Sequence, residues 1–361
     1  MGKRSVLTMQ NNSLPLKYNP ALDSIRGIAV LLVVSMHVEY YFFDSNMSWI
    51  PGGFLGVDLF FVLSGFLITN ILLSDFTRHG KLSYRKFYIN RLLRLFPALA
   101  LLLLAYFTLS KLIPTAQPME FDTIFAILFY YFNWFLLSTL DVPEGMGHMW
   151  SLAVEEQFYL LWPALLALVL RHLKPVRYVV FALVVLIASV AVWRAYLWNL
   201  DTNWLFLYVR TDTRADSILV GALLAYLLSK NLLHIPHLKL VSGISACIFL
   251  ICVLYFDRES PALYLGGFTL LAILGAVLIC YAIKETEDNP IFFDWKPLRW
   301  LGKLSYGLYL WHMPIFMLVS GADQLGSSAS RAFVGLALLS MTTLVSWFFV
   351  ERPCLRLKNR I

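Results

Sequence analysis

The sequence has few charged residues: they make up 14% of its 361 residues, whereas 59% are hydrophobic. The mean hydropathy is +0.70, a value that a water-soluble domain reaches only by exposing large apolar surfaces. No hydrophilic stretch is long enough to fold alone, because the longest are residues 1–22 and a roughly 20-residue connection from Ser74 to Arg94. The sequence therefore predicts a polytopic membrane protein whose chemistry takes place inside a helical bundle or at its mouths.

Cysteine is also scarce. The four cysteines, at positions 247, 252, 280 and 354, have neither the spacing of a disulfide framework nor that of a metal site, so no metal is expected. The formal net charge is +7, but Lys and Arg at the cytoplasmic ends of membrane helices produce the same excess. The charge therefore gives no support for nucleic-acid binding, and the expected surroundings are a lipid bilayer.

Eleven apolar segments follow the first 22 residues, each close to the roughly 20 residues that a helix needs to cross a bilayer. They lie at 24–43, 54–73, 95–112, 122–140, 151–170, 178–195, 205–228, 240–256, 262–283, 302–320 and 332–350. Lys and Arg cluster before the first segment and after the second, fifth and last, and the positive-inside rule places all four clusters in the cytoplasm. If all eleven segments crossed, the cluster after the fifth would lie outside.

One segment is therefore expected not to cross, and 122–140 is the best candidate because the loops beside it carry acids and no Lys or Arg. This predicts an all-α membrane helix bundle with about ten crossings, one re-entrant segment and both termini in the cytoplasm. The expected membrane is a plasma membrane, the inner one in a bacterium. The predicted organisation is a cytoplasmic leader at 1–22, a single membrane domain at 23–356 and a cytoplasmic tail at 357–361.

Arg26 and His37 lie eleven residues apart in the first segment, which is almost three helical turns, so they share one helix face. At about 1.5 Å of rise per residue the His lies about 16 Å deeper than the Arg. Asp23 falls within about 40° of the same face at 100° per residue. Ionisable groups at this depth usually face a protein interior or a wet cavity and mark function. The alternative is an interfacial Arg that anchors the helix and a His that only packs.

Further polar residues interrupt the apolar segments. Asp58, in GVDLFFVLSGFLIT, needs a partner, for which Arg26 and His37 are the candidates. In HMWSLAVEEQFYLLWP, the spacing of four puts Ser151, Glu155 and Tyr159 on one polar ridge that His148 precedes, while Glu156 points about 100° away. In RTDTRADSILVG, Asp212 and Asp216 are placed to bracket Arg210 or Arg214 as a buried ion pair.

These strings occur together with Arg91, Arg94 and Pro97 in RLLRLFP, with Tyr309 and His312 in LGKLSYGLYLWHMPI, and with a terminal ERP. In this order, from about residue 18 to 356, the sequence resembles the acyltransferase-3 family of membrane O-acyltransferases. The resemblance implies transfer of an acyl group, most simply acetyl, from cytoplasmic acyl-CoA to a sugar hydroxyl of a surface polysaccharide, lipopolysaccharide, peptidoglycan or secreted glycoside. Arg26 and His37 correspond to the family's essential Arg and His, and Glu155 to the acid of its WSLxxE motif. Since about ten residues follow the last segment, the form without an appended esterase-like domain is expected.

The residue chemistry fits acyl transfer. A sugar hydroxyl is a poor nucleophile, so its attack on a thioester needs a base, which we assign to His37, with Glu155 or Asp58 expected to stabilise the imidazolium. A covalent acyl-His intermediate is the second route, because imidazole is also a nucleophile. The sequence leaves the two routes open.

The donor is expected to bind on the cytoplasmic side. Arg85, Lys86, Arg91 and Arg94 are candidates for holding the phosphates of acyl-CoA, although the positive-inside rule alone explains a basic loop. Expected acceptor contacts, with a carbohydrate or glycolipid, are His148, Ser151, Tyr159, Tyr309 and His312. The alternative function is a glycolipid or polysaccharide transporter or flippase, for which inverted repeats or broken helices are typical.

Overall fold

The computed structural model describes residues 19–43, 48–112, 118–139, 142–173, 175–288, 293 and 295–358. Its α-helices in chain order are α1 Pro20–Phe42, α2 Gly56–His79, α3 Tyr84–Leu112, α4 Phe121–Leu128, α5 Phe132–Thr139, α6 Met149–His172, α7 Val176–Trp198, α8 Trp204–Val209, α9 Thr211–Ser229, α10 Leu238–Tyr255, α11 Phe268–Asp288, α12 Lys296–Ser320, α13 Ser328–Ser346 and α14 Arg352–Lys358. These residues contain no strand. The predicted leader lies outside the described residues except for its last four, and the predicted tail except for its first two.

Ten of the described helices have at least 18 residues, namely α1, α2, α3, α6, α7, α9, α10, α11, α12 and α13. At 1.5 Å per residue, 18 residues extend about 27 Å, close to the thickness of a bilayer core. In the part of the chain that the structure describes, eight helices are both long and apolar enough to cross a membrane. The other two long helices, α9 and α12, carry buried polar residues such as Asp216 and His312. The predicted all-α membrane bundle is confirmed, while the cytoplasmic position of its termini stays a prediction.

The segment predicted at 122–140 consists of the two eight-residue helices α4 and α5. Each extends only about 12 Å, too short to cross. Between them Tyr130 has a φ of 55°, a left-handed conformation that interrupts the helix. The side-chain amide of Gln157 in α6 donates hydrogen bonds to the Tyr130 carbonyl at 2.7 Å and to Asn133 Oδ1 at 2.9 Å. This interruption supports the expectation that the segment does not cross as one helix.

The connection predicted from Ser74 to Arg94 is wrong. Helix α2 continues to His79, where Gly80 ends it with a left-handed φ of 68°, and α3 begins at Tyr84. Only four residues separate the two helices. Hydropathy shows where the membrane-embedded part of a helix ends, not where the helix itself ends. A helix can extend beyond the lipid into water with basic residues, because its backbone hydrogen bonds are satisfied within the helix.

Small residues let the central helices approach closely. A Cβ atom at Gly302 in α12 would overlap the carbonyl oxygen of Asp23 in α1, and one at Gly65 in α2 would overlap that of Ile218 in α9. Helix packing in membranes depends on such close contacts because lipid supplies little hydrophobic driving force between helices. These two contacts fix the positions of α1 and α2, which carry Arg26, His37 and Asp58.

Candidate active site

A cavity of about 150 Å³ lies among α1, α2, α3, α6 and α12, and we call it the inner chamber. Its wall combines apolar side chains with three Arg side chains and a ridge of hydroxyl groups: Arg26, Val57, Phe60, Leu63, Ser64, Leu67, Ile68, Ile71, Arg91, Arg94, Leu95, Ser151, Leu152, Glu155, Tyr159, Ser305, Tyr306 and Tyr309. Arg26 and Arg94 also line a second cavity beside the N-terminal end of α1, together with Asn19 and Asp23. The inner chamber is thus adjacent to an opening at the predicted cytoplasmic end of α1.

The three guanidinium groups of the chamber differ in their partners. Arg26 Nη1 lies 2.8 Å from Asp23 Oδ1, and Arg91 Nη2 lies 3.1 Å from Glu156 Oε1. Arg94 makes no hydrogen bond or ion pair with any residue that the structure describes. A half-buried cation of this kind is well placed to bind an anion, since it need not first break an ion pair.

The polar ridge predicted on α6 lines this chamber. Ser151, Glu155 and Tyr159 all border it, and the Tyr159 hydroxyl donates to Glu155 Oε2 at 2.9 Å. Ser64 of α2 is hydrogen-bonded to the same hydroxyl. The guanidinium carbon of Arg91 lies 3.6 Å from the centre of the Tyr159 ring. Glu155 therefore belongs to the chamber wall, as its helical position predicts. Glu156 instead forms an ion pair with Arg91.

Tyr309 connects the inner chamber to a group of histidines. Its hydroxyl lies 2.6 Å from Ser151 Oγ and donates to the His148 carbonyl at 3.1 Å. Its ring also contacts the rings of His148 and His312, with centroid distances of 5.3 and 5.5 Å. A polar path thus continues from the chamber wall into the bundle.

The histidine cluster consists of His37, His148 and His312. The ring centroids of His37 and His312 are 4.8 Å apart, and those of His148 and His312 are 5.0 Å apart. All three are buried, with 9, 4 and 0% of their surface exposed. They come from α1, from the residue before α6 and from α12, so sequence reasoning found each residue but had no signal that the three rings meet.

Backbone carbonyl groups fix the protonation pattern of these rings. His37 Nδ1 lies 2.8 Å from the Val33 oxygen, His312 Nδ1 lies 2.6 Å from the Tyr309 oxygen, and His148 Nε2 lies 3.2 Å from the Leu310 oxygen. A carbonyl oxygen only accepts, so each of these nitrogens carries the hydrogen. In the neutral rings, the second nitrogen of each then has a free lone pair. Those of His148 and His312 are buried without a hydrogen-bond partner.

Asp58 has a different partner from those expected. Its Oδ1 accepts hydrogen bonds from Arg214 Nη2 at 2.9 Å and from Ser217 Oγ at 3.1 Å. The predicted pairing with Arg26 or His37 is therefore wrong, because α2 packs its Asp58 face against α9. The side chains of Asp58 and Arg214 are 1% and 0% exposed, which makes this a buried connection between two helices.

The two acids of α9, Asp212 and Asp216, bind different Arg residues. Arg210 binds Asp212, with an Nη2–Oδ2 distance of 2.5 Å, as the sequence allowed. Asp216, however, is bound by Arg194 of α7 through two hydrogen bonds of 2.9 Å. The expected bracketing of one Arg by both acids is wrong. Arg194, deep within the apolar part of α7, is the sequence signal that could have identified this pair.

The four basic candidates for donor binding separate into two groups. Arg91 and Arg94 line the inner chamber. Arg85 and Lys86 are exposed near the start of α3, and Lys86 lines a different groove with Asp75 and other residues of α2. They are thus outside the chamber wall, at the end of the helix that the positive-inside rule assigns to the cytoplasm.

A third cavity, which we call the outer cleft, lies at the opposite end of α1. It is lined by Glu39, Tyr40, Tyr41, Trp204 and Arg258, among other residues. Arg258 Nη2 contacts the sulfur of Met36 at 3.7 Å, and Met36 directly precedes His37 in the chain. The histidine cluster therefore lies between a chamber rich in Arg and a cleft rich in aromatic rings. Among the described residues, no group of three or more His, Cys, Asp or Glu has the arrangement of a metal site.

The family model described as acyltransferase domain, of the acyltransferase-3 family, matches residues 19–351. The chain belongs to this family. Membership of this family favours acyl transfer over the transporter alternative. Among its relatives, the peptidoglycan O-acetyltransferase OatA of Listeria monocytogenes is 35% identical over 354 residues, covering 93% of this chain and 56% of the relative. The O-acetyltransferase OatA of Staphylococcus aureus is 31% identical over 355 residues, covering 93% and 57%.

This acyltransferase-3 chain thus spans somewhat more than half the length of these relatives. No solved structure matches it. The match extends over α1 to α13 and includes the inner chamber and all three histidines.

Proposed function

We propose that this acyltransferase moves an acetyl group from acetyl-CoA, bound from the cytoplasm, to a hydroxyl group of a cell-wall glycan on the outer side of the membrane. The acetyl group and the glycan acceptor are supported by the relatives, which are named as O-acetyltransferases and, in one case, as acting on peptidoglycan. The helices that are long and apolar enough to cross a membrane support a position of the protein within the membrane. The donor and its side of entry rest on the geometry of the inner chamber.

The observation that carries the donor proposal is Arg94. Its guanidinium makes no hydrogen bond or ion pair among the described residues, and it lines both the chamber and the cavity beside it. Phosphate groups bind guanidinium through paired, charge-assisted hydrogen bonds. Arg26 and Arg91 lie on the same wall but already bind Asp23 and Glu156. We therefore assign the main phosphate contact of CoA to Arg94. The acyl-bearing arm of acetyl-CoA then extends along the apolar chamber wall toward Tyr309.

The reaction joins the hydroxyl oxygen of the acceptor to the carbonyl carbon of the thioester and breaks the carbon–sulfur bond. The hydroxyl proton goes to a base, and the thiolate leaves as CoA. His37 is the proposed base, since its Nδ1–H is held by the Val33 carbonyl and its Nε2 lone pair is free to accept a proton. The acyl-His route uses the same lone pair as a nucleophile, so the geometry accommodates both routes.

The outer cleft is the proposed entry for the acceptor. Aromatic rings such as Tyr40, Tyr41 and Trp204 present apolar faces beside polar groups, a combination suited to an amphipathic sugar ring. The acceptor would then approach His37 from the side of Met36 and Arg258, opposite to the donor. Transfer across the membrane follows from this arrangement without movement of the whole donor.

The experiment uses the purified protein in liposomes, with acetyl-CoA labelled in its acetyl group and glycan chains of peptidoglycan as acceptor. Transfer of label to alkali-labile esters on the glycan is the expected result. Arg94→Ala should weaken stabilisation of the protein by CoA in a thermal unfolding assay, and Arg85→Ala on the same helix is the matched control. Labelling that never exceeds that of empty liposomes would overturn the activity. Equal CoA responses of both variants and the wild type would overturn the donor site.

A further inference from the structure

We infer that His312 and His148 are proton carriers that act together with His37, so that the histidine cluster conducts the hydroxyl proton from the acceptor side to the inner chamber. The inference rests on the proposed function and extends it to two further residues. Its basis is the contact between the three rings, at 4.8 and 5.0 Å, together with the unpartnered nitrogens of His148 and His312 in the buried interior.

A path for the proton is needed because the two products separate to opposite sides. The acceptor hydroxyl loses its proton on the side of the outer cleft, whereas the CoA thiolate that needs a proton leaves through the inner chamber. A proton left on His37 would be a buried cation, which is costly in a low-dielectric interior. The guanidinium of Arg258, in contact with Met36 beside His37, adds electrostatic repulsion to that cost.

The geometry provides successive sites for this proton. It moves from the acceptor hydroxyl to His37 Nε2, then to His312 Nε2, then to His148 Nδ1, the three nitrogens that the backbone carbonyls leave free. Because His312 Nε2 and His148 Nδ1 have no hydrogen-bond partner among the described residues, a water molecule between neighbouring rings would carry each of these transfers. No ring needs to give up its carbonyl-bound hydrogen, so the proton moves without any ring changing its tautomer. His148 Nδ1 then gives up the proton to the CoA thiolate, which becomes the thiol. Tyr309 forms the chamber wall on this side, since its ring contacts the rings of His148 and His312 and its hydroxyl shares a hydrogen bond with Ser151.

The same arrangement serves the route through an acyl-His intermediate. There the Nε2 lone pair of His37 is occupied by the acetyl group, so the ring cannot accept the hydroxyl proton in the second step. His312 is then the nearest base, since its ring contacts that of His37. In both routes the basic nitrogen of His312 is required, which makes His312 the residue to test.

The test compares His312→Asn, which keeps a donor for the Tyr309 carbonyl but has no basic nitrogen, with His312→Ala, which leaves space for a free imidazole molecule. We expect both variants to retain stabilisation by CoA and to transfer acetyl at least about 100-fold more slowly than the wild type. Added imidazole should restore transfer by His312→Ala in a concentration-dependent manner. Phe316→Leu, which alters packing beside His312 without removing a base, is the control and should not respond to imidazole.

Near wild-type transfer by His312→Asn would overturn the inference. So would slow variants that imidazole does not restore, because that result assigns His312 a packing role only. If the wild type itself transfers no acetyl group from acetyl-CoA, the proposed function fails, and this outcome is recognised before any variant is compared.

Discussion

Arg214 of α9 and Asp58 of α2 form an ion pair in the protein interior, with Nη2 and Oδ1 2.9 Å apart and at most 1% of either side chain exposed. The guanidinium carbon of Arg214 also lies 3.6 Å from the centre of the Phe268 ring, so the pair joins three helices. Because α2 lines the inner chamber through Ser64, the pair supports the chamber wall at a distance. Asp58 is thus best explained as a residue that holds helices together.

Asp58→Asn is expected to lower the stability of the protein, because Arg214 then remains as a buried cation without its counter-charge. Breaking a buried pair on one side typically costs about 3–5 kcal/mol. Thermal unfolding in detergent measures the change. Transfer per folded molecule should fall by less than tenfold, and a variant of normal stability that has lost transfer would instead assign Asp58 to catalysis.

His37→Gln and His37→Ala are expected to abolish acetyl transfer, since neither side chain accepts a proton or forms an acyl intermediate near neutral pH. CoA should still raise the unfolding temperature, because the donor phosphates bind at the other end of the chamber. Label transfer in liposomes and thermal unfolding with CoA measure the two properties on the same preparation. Transfer at a normal rate by correctly inserted His37→Ala would move the search for the base to Glu155 and His312.

Arg26→Lys is expected to reduce transfer strongly while the protein remains inserted. Arg26 uses its planar guanidinium to bind Asp23 at 2.8 Å while it lines both the chamber and the cavity beside it. The Lys ammonium is a compact point charge that does not reproduce this geometry. The dependence of the rate on acetyl-CoA concentration measures the effect, and an unchanged curve would identify Arg26 as an interfacial anchor.

Gly302→Ala is expected to impair both folding and transfer. The added methyl group would overlap the carbonyl oxygen of Asp23, so α1 and α12 must separate beside Arg26. Overpacking of this kind usually costs about 1–3 kcal/mol. Gly243→Ala in α10 is the matched control, because nothing lies within 4 Å of its new methyl group. Expression level and unfolding temperature compare the two variants, and equal values would contradict the close helix contact.

The membrane topology is tested by single cysteines in a variant that lacks the four native ones. Residues 120 and 144 flank α4 and α5, and residue 177 follows α6. A membrane-impermeant thiol reagent should label Glu120→Cys and Glu144→Cys from outside but Arg177→Cys only after the membrane is opened. Labelling of residues 120 and 144 from opposite sides would show that the interrupted segment crosses.

The structure also corrects the stabilising role expected of the acids. Glu155 lies in the chamber wall and is bound to Tyr159, while Asp58 is bound to Arg214. The ring against His37 is that of another histidine, His312. The sequence gives no reason to prefer a carboxylate over a second imidazole as the neighbour of His37, because both kinds of side chain occupy inward-facing helix positions.

The sequence by itself determined the class of the protein, the long helices and the polar faces of α1 and α6. These features depend on hydropathy and on the 3.6-residue period, which act within one helix. The shared face of Arg26 and His37 and the ridge of Ser151, Glu155 and Tyr159 were predictable for this reason. The family resemblance carried by the same residues is confirmed by the match over residues 19–351.

Only the tertiary structure decided which polar residues meet. The partners of Asp58 and Asp216, the break at Tyr130 and the meeting of three histidines all depend on contacts between helices far apart in the chain. Periodicity fixes the direction of a side chain relative to its own helix, but the rotation and depth of neighbouring helices come from packing at small residues such as Gly65 and Gly302. The composition of each cavity wall follows from that packing.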